Sequence, residues 1–434
     1  MYTNKEIWNV SYPIFLGLLA QNIINVTDTA FLGRVGEVEL GASAMGGLFY
    51  ICVFTIAFGF SVGSQILIAR RNGEGRYKDV GPVMIQGGTF LLGLAVLMFG
   101  LTHLLAPSIV RLLISSDSIF DATMEFLNWR IWGFFFAFVN VMFRALYIGI
   151  TRTKVLTMNA VVMALVNVLL DYILIFGKFG MPEMGIKGAA VASVMAEAAS
   201  LAFFLIYTYA KVDFKKFGLN HWQKIDFSLL GKILSISCFT MIQYFLAMAT
   251  WFVFFIAIER LGQRELAIAN IVRSIYIVML IPVQALSTTT NSLVSNLIGA
   301  GEKKNVFPLC RRVIRLGYAA GVPLIALALL FHQPIIGAYT DNPTIVQVAW
   351  LPFAVMLLNY FFALPGYVYL NAVTGTGATR TVFIFQVTTT IAYLSCLWGL
   401  SRWSVPLAAY WAVEYLYVIL LGIQAIIYLK YKQY

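Results

Sequence analysis

Charge is scarce in this chain. Only 11% of its 434 residues are Asp, Glu, Lys or Arg, against about a quarter in an average soluble domain. Meanwhile 60% are hydrophobic, and the mean hydropathy is +0.83. Such a composition excludes a soluble enzyme, a disordered chain and a nucleic-acid binder, and leaves an integral membrane protein. Histidine is rarer still: His103, His221 and His332 stand far apart, so no histidine metal cluster is expected. The four cysteines, Cys52, Cys238, Cys310 and Cys396, lie in apolar runs without CxxC spacing, which argues against a disulfide framework and a zinc site. HExxH, DDxxD-like and well-placed GxSxG patterns are also missing, so a membrane enzyme is not indicated. The weak basic flank at Lys5 and the long apolar stretch behind it do not suit a cleaved signal peptide. They read as an uncleaved first span.

What the chain has is apolar runs of membrane length. A bilayer core of about 30 Å needs roughly 20 residues of helix. That window predicts twelve spans, near 7–32, 44–69, 81–105, 127–150, 155–177, 186–210, 231–258, 267–298, 313–332, 346–373, 381–400 and 405–429. The net charge of +11 follows the same frame. With the N-terminus inside, 20 of the 30 basic residues fall in alternate loops of one side, including Lys5, Arg70, Arg71, Lys215, Lys216, Lys303, Lys304 and Arg380. By the positive-inside rule both termini are cytoplasmic, in a multi-pass protein of the cytoplasmic membrane.

The sequence also repeats itself at an offset of 226 residues. Arg34 aligns with Arg260, Gly36 with Gly262, Glu39 with Glu265, Gly75 with Gly301, Lys78 with Lys304, Pro82 with Pro308 and Gly149 with Gly375. Each copy holds six spans, an even number, so the copies insert in the same sense, and their pseudo-two-fold axis runs along the membrane normal. The expected fold is therefore all-α: a six-helix lobe over 1–210, a cytoplasmic linker over 211–230 and a second six-helix lobe over 231–434. Two like-oriented bundles suit alternating access by a transporter.

Carboxylates inside spans cost from about 2.5 to over 10 kcal/mol and so call for a reason. Asp28, Asp171, Glu197 and Glu414 qualify. Asp28 and Asp171 lie at similar depth, roughly 6 and 9 Å from the outer ends of the first and fifth spans. Gln21, Asn25 and Asp28 share one helix face, as do Asn167 and Asp171, and Ser193, Glu197 and Ser200. Two carboxylates with amide and hydroxyl oxygens can bind Na+, or share a proton. The competing reading is that these groups only tie helices together, at about 0.6–2 kcal/mol each. Neutral residues serve for that, so Asp28 and Asp171 point to function, with Gln21, Asn25 and Glu197 as further cavity or coupling candidates. Glu414 reads as structural or substrate-contacting. At the 226 offset Asp28 maps to Phe254, Asn167 to Tyr393 and Asp171 to Leu397, so coupling chemistry belongs to the first lobe.

The stretches VTDTAFLGRVG, ARRNGEGRYKDV, NVLLDYILIFGKFGMPEMGIKGAAVAS and NLIGAGEKKNV resemble the multidrug and toxic compound extrusion (MATE) family over essentially the whole chain. The resemblance implies twelve helices in two lobes and export of amphipathic, cationic organic compounds against H+ or Na+ entry. In the DinF-like branch the coupling site is an Asp of the first helix with an Asn-x-x-x-Asp of the fifth, matched here by Asp28, Asn167 and Asp171; Ser193 best matches the sixth-helix hydroxyl. The NorM-like branch adds acids in the seventh and tenth helices, which this chain lacks. The resemblance further implies a small organic substrate, a lipid bilayer around the chain, a monomer, and no cofactor beyond the coupling ion, and the composition already speaks against nucleic acid as a partner. The alternative is a flippase for a lipid or lipid-linked precursor, as in related proteins with additional helices and cationic cavities.

Overall fold

In a computed structural model of the chain, residues 2–220 and 224–434 are described. His221, within the expected linker, lies outside them. Among the described residues twelve helices are long and apolar enough to cross a membrane. Spans 1 to 6 are Asn4–Val35, Glu37–Gly73, Tyr77–Leu113, Asp117–Gly149, Lys154–Phe176 and Gly185–Lys211. Spans 7 to 12 are Phe227–Glu259, Gln263–Gly299, Lys303–Leu330, Pro343–Gly375, Thr379–Leu400 and Leu407–Tyr431. The apolar windows mark the centres of these helices, and most helices run on into polar ends. Spans 9 and 4 each start ten residues ahead of their windows, at 303 against 313 and at 117 against 127, and span 4 shows why. Its first segment, Asp117–Arg130, carries Asp117, Asp121 and Glu125, which dilute the apolar signal. Arg273 lies inside span 8, as the 267–298 window places it.

The chain divides into two compact units, Leu16–Met241 and Met1–Phe15 with Ile242–Tyr434. The division in span 1 falls two residues past Pro13, an interior proline that removes a backbone hydrogen bond.

The 226-residue repeat is visible in the backbone of each unit. Span 3 is entered through the one-turn helix Tyr77–Asp79, and span 9 through its counterpart Lys303–Asn305. Gly75 and Gly301, which precede these turns, have φ of 74° and 78°, a left-handed conformation that glycine adopts without steric cost. Span 4 is interrupted by the tight turn Ile131–Gly133, and span 10 by a break at Asn359 between Leu358 and Tyr360. Close packing repeats too. A Cβ on Gly149 would lie 2.7 Å from the Ile68 side chain, and one on Gly375 would lie 2.5 Å from the Asn291 carbonyl and 3.1 Å from Val294. Ile68 and Val294 are themselves 226 apart.

Span 8 carries the polar run Ser287-Thr288-Thr289-Thr290-Asn291-Ser292 in its interior. Two of its hydroxyls bond back onto their own helix. Thr289 donates to the Ala285 carbonyl at 2.9 Å and Thr290 to Leu286 at 2.8 Å, which satisfies them without water. Ser295 reaches across to the Gly375 carbonyl at 2.7 Å, fixing span 8 to span 10.

Gly375→Ala forces a methyl against rigid backbone and is expected to destabilise by about 1–3 kcal/mol, the usual range for overpacking. Gly41→Ala, with nothing within 4 Å of the added carbon, should be neutral or slightly stabilising. Thermal unfolding of the two variants in detergent checks the contrast; equal melting temperatures would refute it.

Candidate functional site

The turn between spans 5 and 6 sets the site. Span 5 stops at Gly177, which is left-handed (φ 63°, ψ 51°) and donates to the Ile173 carbonyl. The chain then doubles back, with Lys178 N–H on the Ile173 carbonyl and Met184 N–H on the Leu174 carbonyl, both at 2.9 Å. A Cβ on Gly188 would sit 2.7 Å from the Leu174 carbonyl oxygen. The glycines of the FGKFGMPEMGIKG stretch therefore let spans 5 and 6 interlock, with Asn167 and Asp171 one helical turn apart on span 5.

Asn167 and Asp171 are buried, at 1% and 0% exposure, and Asp28 on span 1 is half-buried. One terminal atom of the Asn167 amide lies 3.0 Å from Asp28 Oδ1 and 3.2 Å from Asp171 Oδ2. With nitrogen at that position, the amide donates to both carboxyl groups and bridges them. With oxygen there, three oxygens converge at the spacing that a small hard cation accepts. The two carboxyl groups thus approach each other across one amide. Asp171 Oδ1 is buried with no partner, a free acceptor within the cluster.

An apolar cap closes one side. Leu32 and Ile175, each one turn beyond a carboxylate, pack with Ala42, Ile186, Ala189 and Ala190. Phe31 and Phe176 meet edge to face at 5.6 Å over the same layer. Water and ions are thereby kept from the pair on that side.

The other candidates fall elsewhere. Gln21 and Asn25 are exposed. Ser193 is half-buried and makes no hydrogen bond among the described residues. Glu197 faces spans 2 and 4. Arg130 grips its carboxylate with both terminal nitrogens, at 2.9 and 2.7 Å. Tyr50 stands 3.1 Å from both carboxylate oxygens, and the guanidinium lies 3.6 Å above the Tyr50 ring. Asn140 donates to the Glu197 carbonyl at 3.0 Å. A Cβ on Gly133 would lie 2.2 Å from the Glu197 carboxylate, so the break in span 4 makes room for the pair. One turn further along span 6, Ser200 and Asn159 exchange hydrogen bonds at 2.9 and 3.0 Å. Sequence spacing does not reveal the Arg130–Glu197 pairing. The available signal was one cation and one acid inside spans of the same half, neither with a partner on its own helix.

Glu414, on span 12, is buried and accepts a hydrogen bond of 2.5 Å from Tyr393. Nearby, Gln386 donates to Tyr417 at 2.6 Å, and Trp411 packs against Phe254 at 4.9 Å. Among the described residues no group of three or more His, Cys, Asp or Glu is arranged to hold a metal ion.

The MatE family model matches this chain over residues 13–173 and 238–396. The chain is similar to the probable multidrug resistance protein NorM of Thermotoga maritima, with 25% identity over 379 residues covering 86% of this chain and 80% of that protein. It is similar also to the protein of that name in Xanthomonas campestris, at 26% identity and with 92% and 85% covered. The Vibrio cholerae MATE transporter VcmN in its bent form shares the fold. Its TM-score is 0.87 at 18% identity, over 99% of this chain and 97% of that one.

Removing one member of a buried ion pair strands the other and typically costs about 3–5 kcal/mol. Arg130→Gln and Glu197→Gln should each lower the melting temperature in detergent, and the apolar pair Arg130→Met with Glu197→Leu should recover most of the loss. Additive losses in the double variant would contradict a closed pair.

Proposed function

Because the chain belongs to the MatE family, we propose that it is a secondary antiporter that exports amphipathic, cationic organic compounds in exchange for H+ or Na+. Family membership and the twelve spans make it a multi-pass membrane transporter rather than an enzyme. The curated relatives carry multidrug-resistance names, which supports a broad range of small organic substrates. The loop-charge bias supports cytoplasmic termini.

One observation carries the coupling proposal: Asp28, Asn167 and Asp171, from two spans, meet around a single amide. Two carboxylates this close repel unless a proton or a cation lies between them. Taking up the ion lowers the charge of the cluster from two negatives to one, screens the repulsion and favours close packing of spans 1 and 5; losing it restores the repulsion and favours their separation. The ion and the organic substrate then each bind better to a different arrangement of the helices. Linkage makes the effect reciprocal, so ion entry drives substrate out. The Asn167 amide suits either ion, presenting nitrogen to a protonated pair or oxygen to Na+. The unpartnered Asp171 Oδ1 is the natural place for the ion to begin binding. With no acids at the matching second-half positions Phe254, Tyr393 and Leu397, the coupling site is assigned to the first half, the DinF-like pattern.

The test is transport of a fluorescent organic cation in proteoliposomes under an imposed pH or Na+ gradient. Wild type should respond to one gradient. Asp28→Asn and Asp171→Asn should lose about tenfold or more, since even groups behind ion ligands cost 10–100-fold when removed. Wild-type rates in either variant would sink the assignment. Silence under both gradients, with folded protein, would shift weight to a lipid flippase.

A further inference from the structure

Spans 1 and 9 begin at the same end of their unit. There a cavity of about 680 Å³ is lined by Lys5, Arg312 and Arg315, by Thr3 and Asn4, and by the apolar Leu316 and Ala319. It holds three cations and no acid. Among the described residues neither Lys5 nor Arg315 forms an ion pair. The nearest acid on span 1, Glu6, is held by Thr3 and is not part of the lining. Its Oε2 accepts from the Thr3 N–H at 2.7 Å and the Thr3 hydroxyl at 2.8 Å. The contrast is the cavity beside Arg111, where Asp117 pairs with the arginine at 2.5 Å.

The internal repeat shows which part of this arrangement is structural. Arg312 donates to the Tyr2 carbonyl at 2.7 Å and so ties the segment before span 1 to span 9. Its counterpart 226 residues earlier is Gln86, which donates to the Lys224 carbonyl at 2.8 Å and accepts from the Asp226 N–H at 3.2 Å. Gln86 ties the segment before span 7 to span 3 in the same way. A neutral amide therefore suffices for the tie. The counterparts of Arg315 and Lys5 are Thr89 and Gly231, which are uncharged. The three charges of the second-half cavity exceed what packing requires, and a cavity with concentrated positive charge and no counter-ion selects an anion.

We infer that this cavity binds the phosphate group of an anionic membrane lipid. Arg312 and Arg315, three residues apart on one helix face, supply planar donors that match phosphate oxygens, and Lys5 adds a charge from the facing helix. Free phosphate shares that chemistry, but the surroundings favour a lipid. Below the charges the exposed face of span 9 continues as Ala319, Pro323 and Leu327, flanked by Leu324. It offers acyl chains an apolar track directly under the headgroup.

The experiment uses the full-length protein in detergent, titrated separately with phosphatidylglycerol, phosphatidylcholine and inorganic phosphate. Bound adducts are followed by native mass spectrometry and by the thermal unfolding midpoint. Phosphatidylglycerol should bind and raise the midpoint more than phosphatidylcholine. Lys5→Gln with Arg315→Gln should weaken it about 25-fold, from roughly fivefold per charge near a membrane surface, and leave the lipid-free midpoint unchanged. For wild type alone, raising the ionic strength should weaken phosphatidylglycerol binding, so the inference is testable even if the variant is unstable. Equal binding of the two lipids, an unchanged affinity in a folded variant, or indifference to salt would each overturn it. Inorganic phosphate that displaces the lipid at equal concentration would overturn the lipid assignment in favour of a soluble anion.

Discussion

Hydrocarbon offers no water to a polar group, and this constraint orders the whole molecule. It makes every crossing helical and requires each buried polar atom to find a partner within the protein. Span 8 meets it with hydroxyls folded back on the helix, and Arg130 and Glu197 meet it by closing on each other beside a missing side chain at Gly133. Asp28, Asn167 and Asp171 meet it only in part. One amide serves two carboxyl groups, and one buried oxygen is left over. The oxygen left over on Asp171 is one of several such atoms, and the one that lies against a second carboxyl group.

The two halves share their backbone and differ in their chemistry. Tight turns, helix breaks and glycine contacts recur at one spacing, because these depend on chain geometry and hold whatever the half binds. The polar interiors have parted. Where the first half has Asp28 on span 1, the second has Phe254 on span 7, packed on Trp411 at 4.9 Å. Where the first has Asn167 between two acids, the second has Tyr393 donating to a single acid, Glu414, from span 12. The second half thus encloses one buried carboxylate among aromatic rings.

Much of this is legible in the sequence, for a physical reason. Membrane spans are long and uniformly apolar, so their number and order follow from hydropathy alone. Their edges do not, because segments such as Asp117–Arg130 stay helical while turning polar. The Asp28, Asn167 and Asp171 triplet could be suspected because charge in a span is costly and helical spacing groups it. The Arg130–Glu197 pair spans 67 residues, and the tie from Arg312 to Tyr2 spans most of the chain. No local pattern connects such partners. Ser193, suggested by family likeness, shares span 6 with Glu197 and Ser200 but makes no bond of its own, because helical spacing fixes a face and not the partner opposite it.

The bond from Arg312 to the Tyr2 carbonyl closes a loop of 310 residues. Ribosomes add roughly 5–20 residues per second, so the start of span 1 waits roughly 15–60 s for its partner to be made. During that interval Leu16–Met241 can complete its own packing, while the first fifteen residues belong to a unit not yet synthesised. Assembly of the second unit thus waits for span 9, and a chain cut short before it leaves its own beginning undocked.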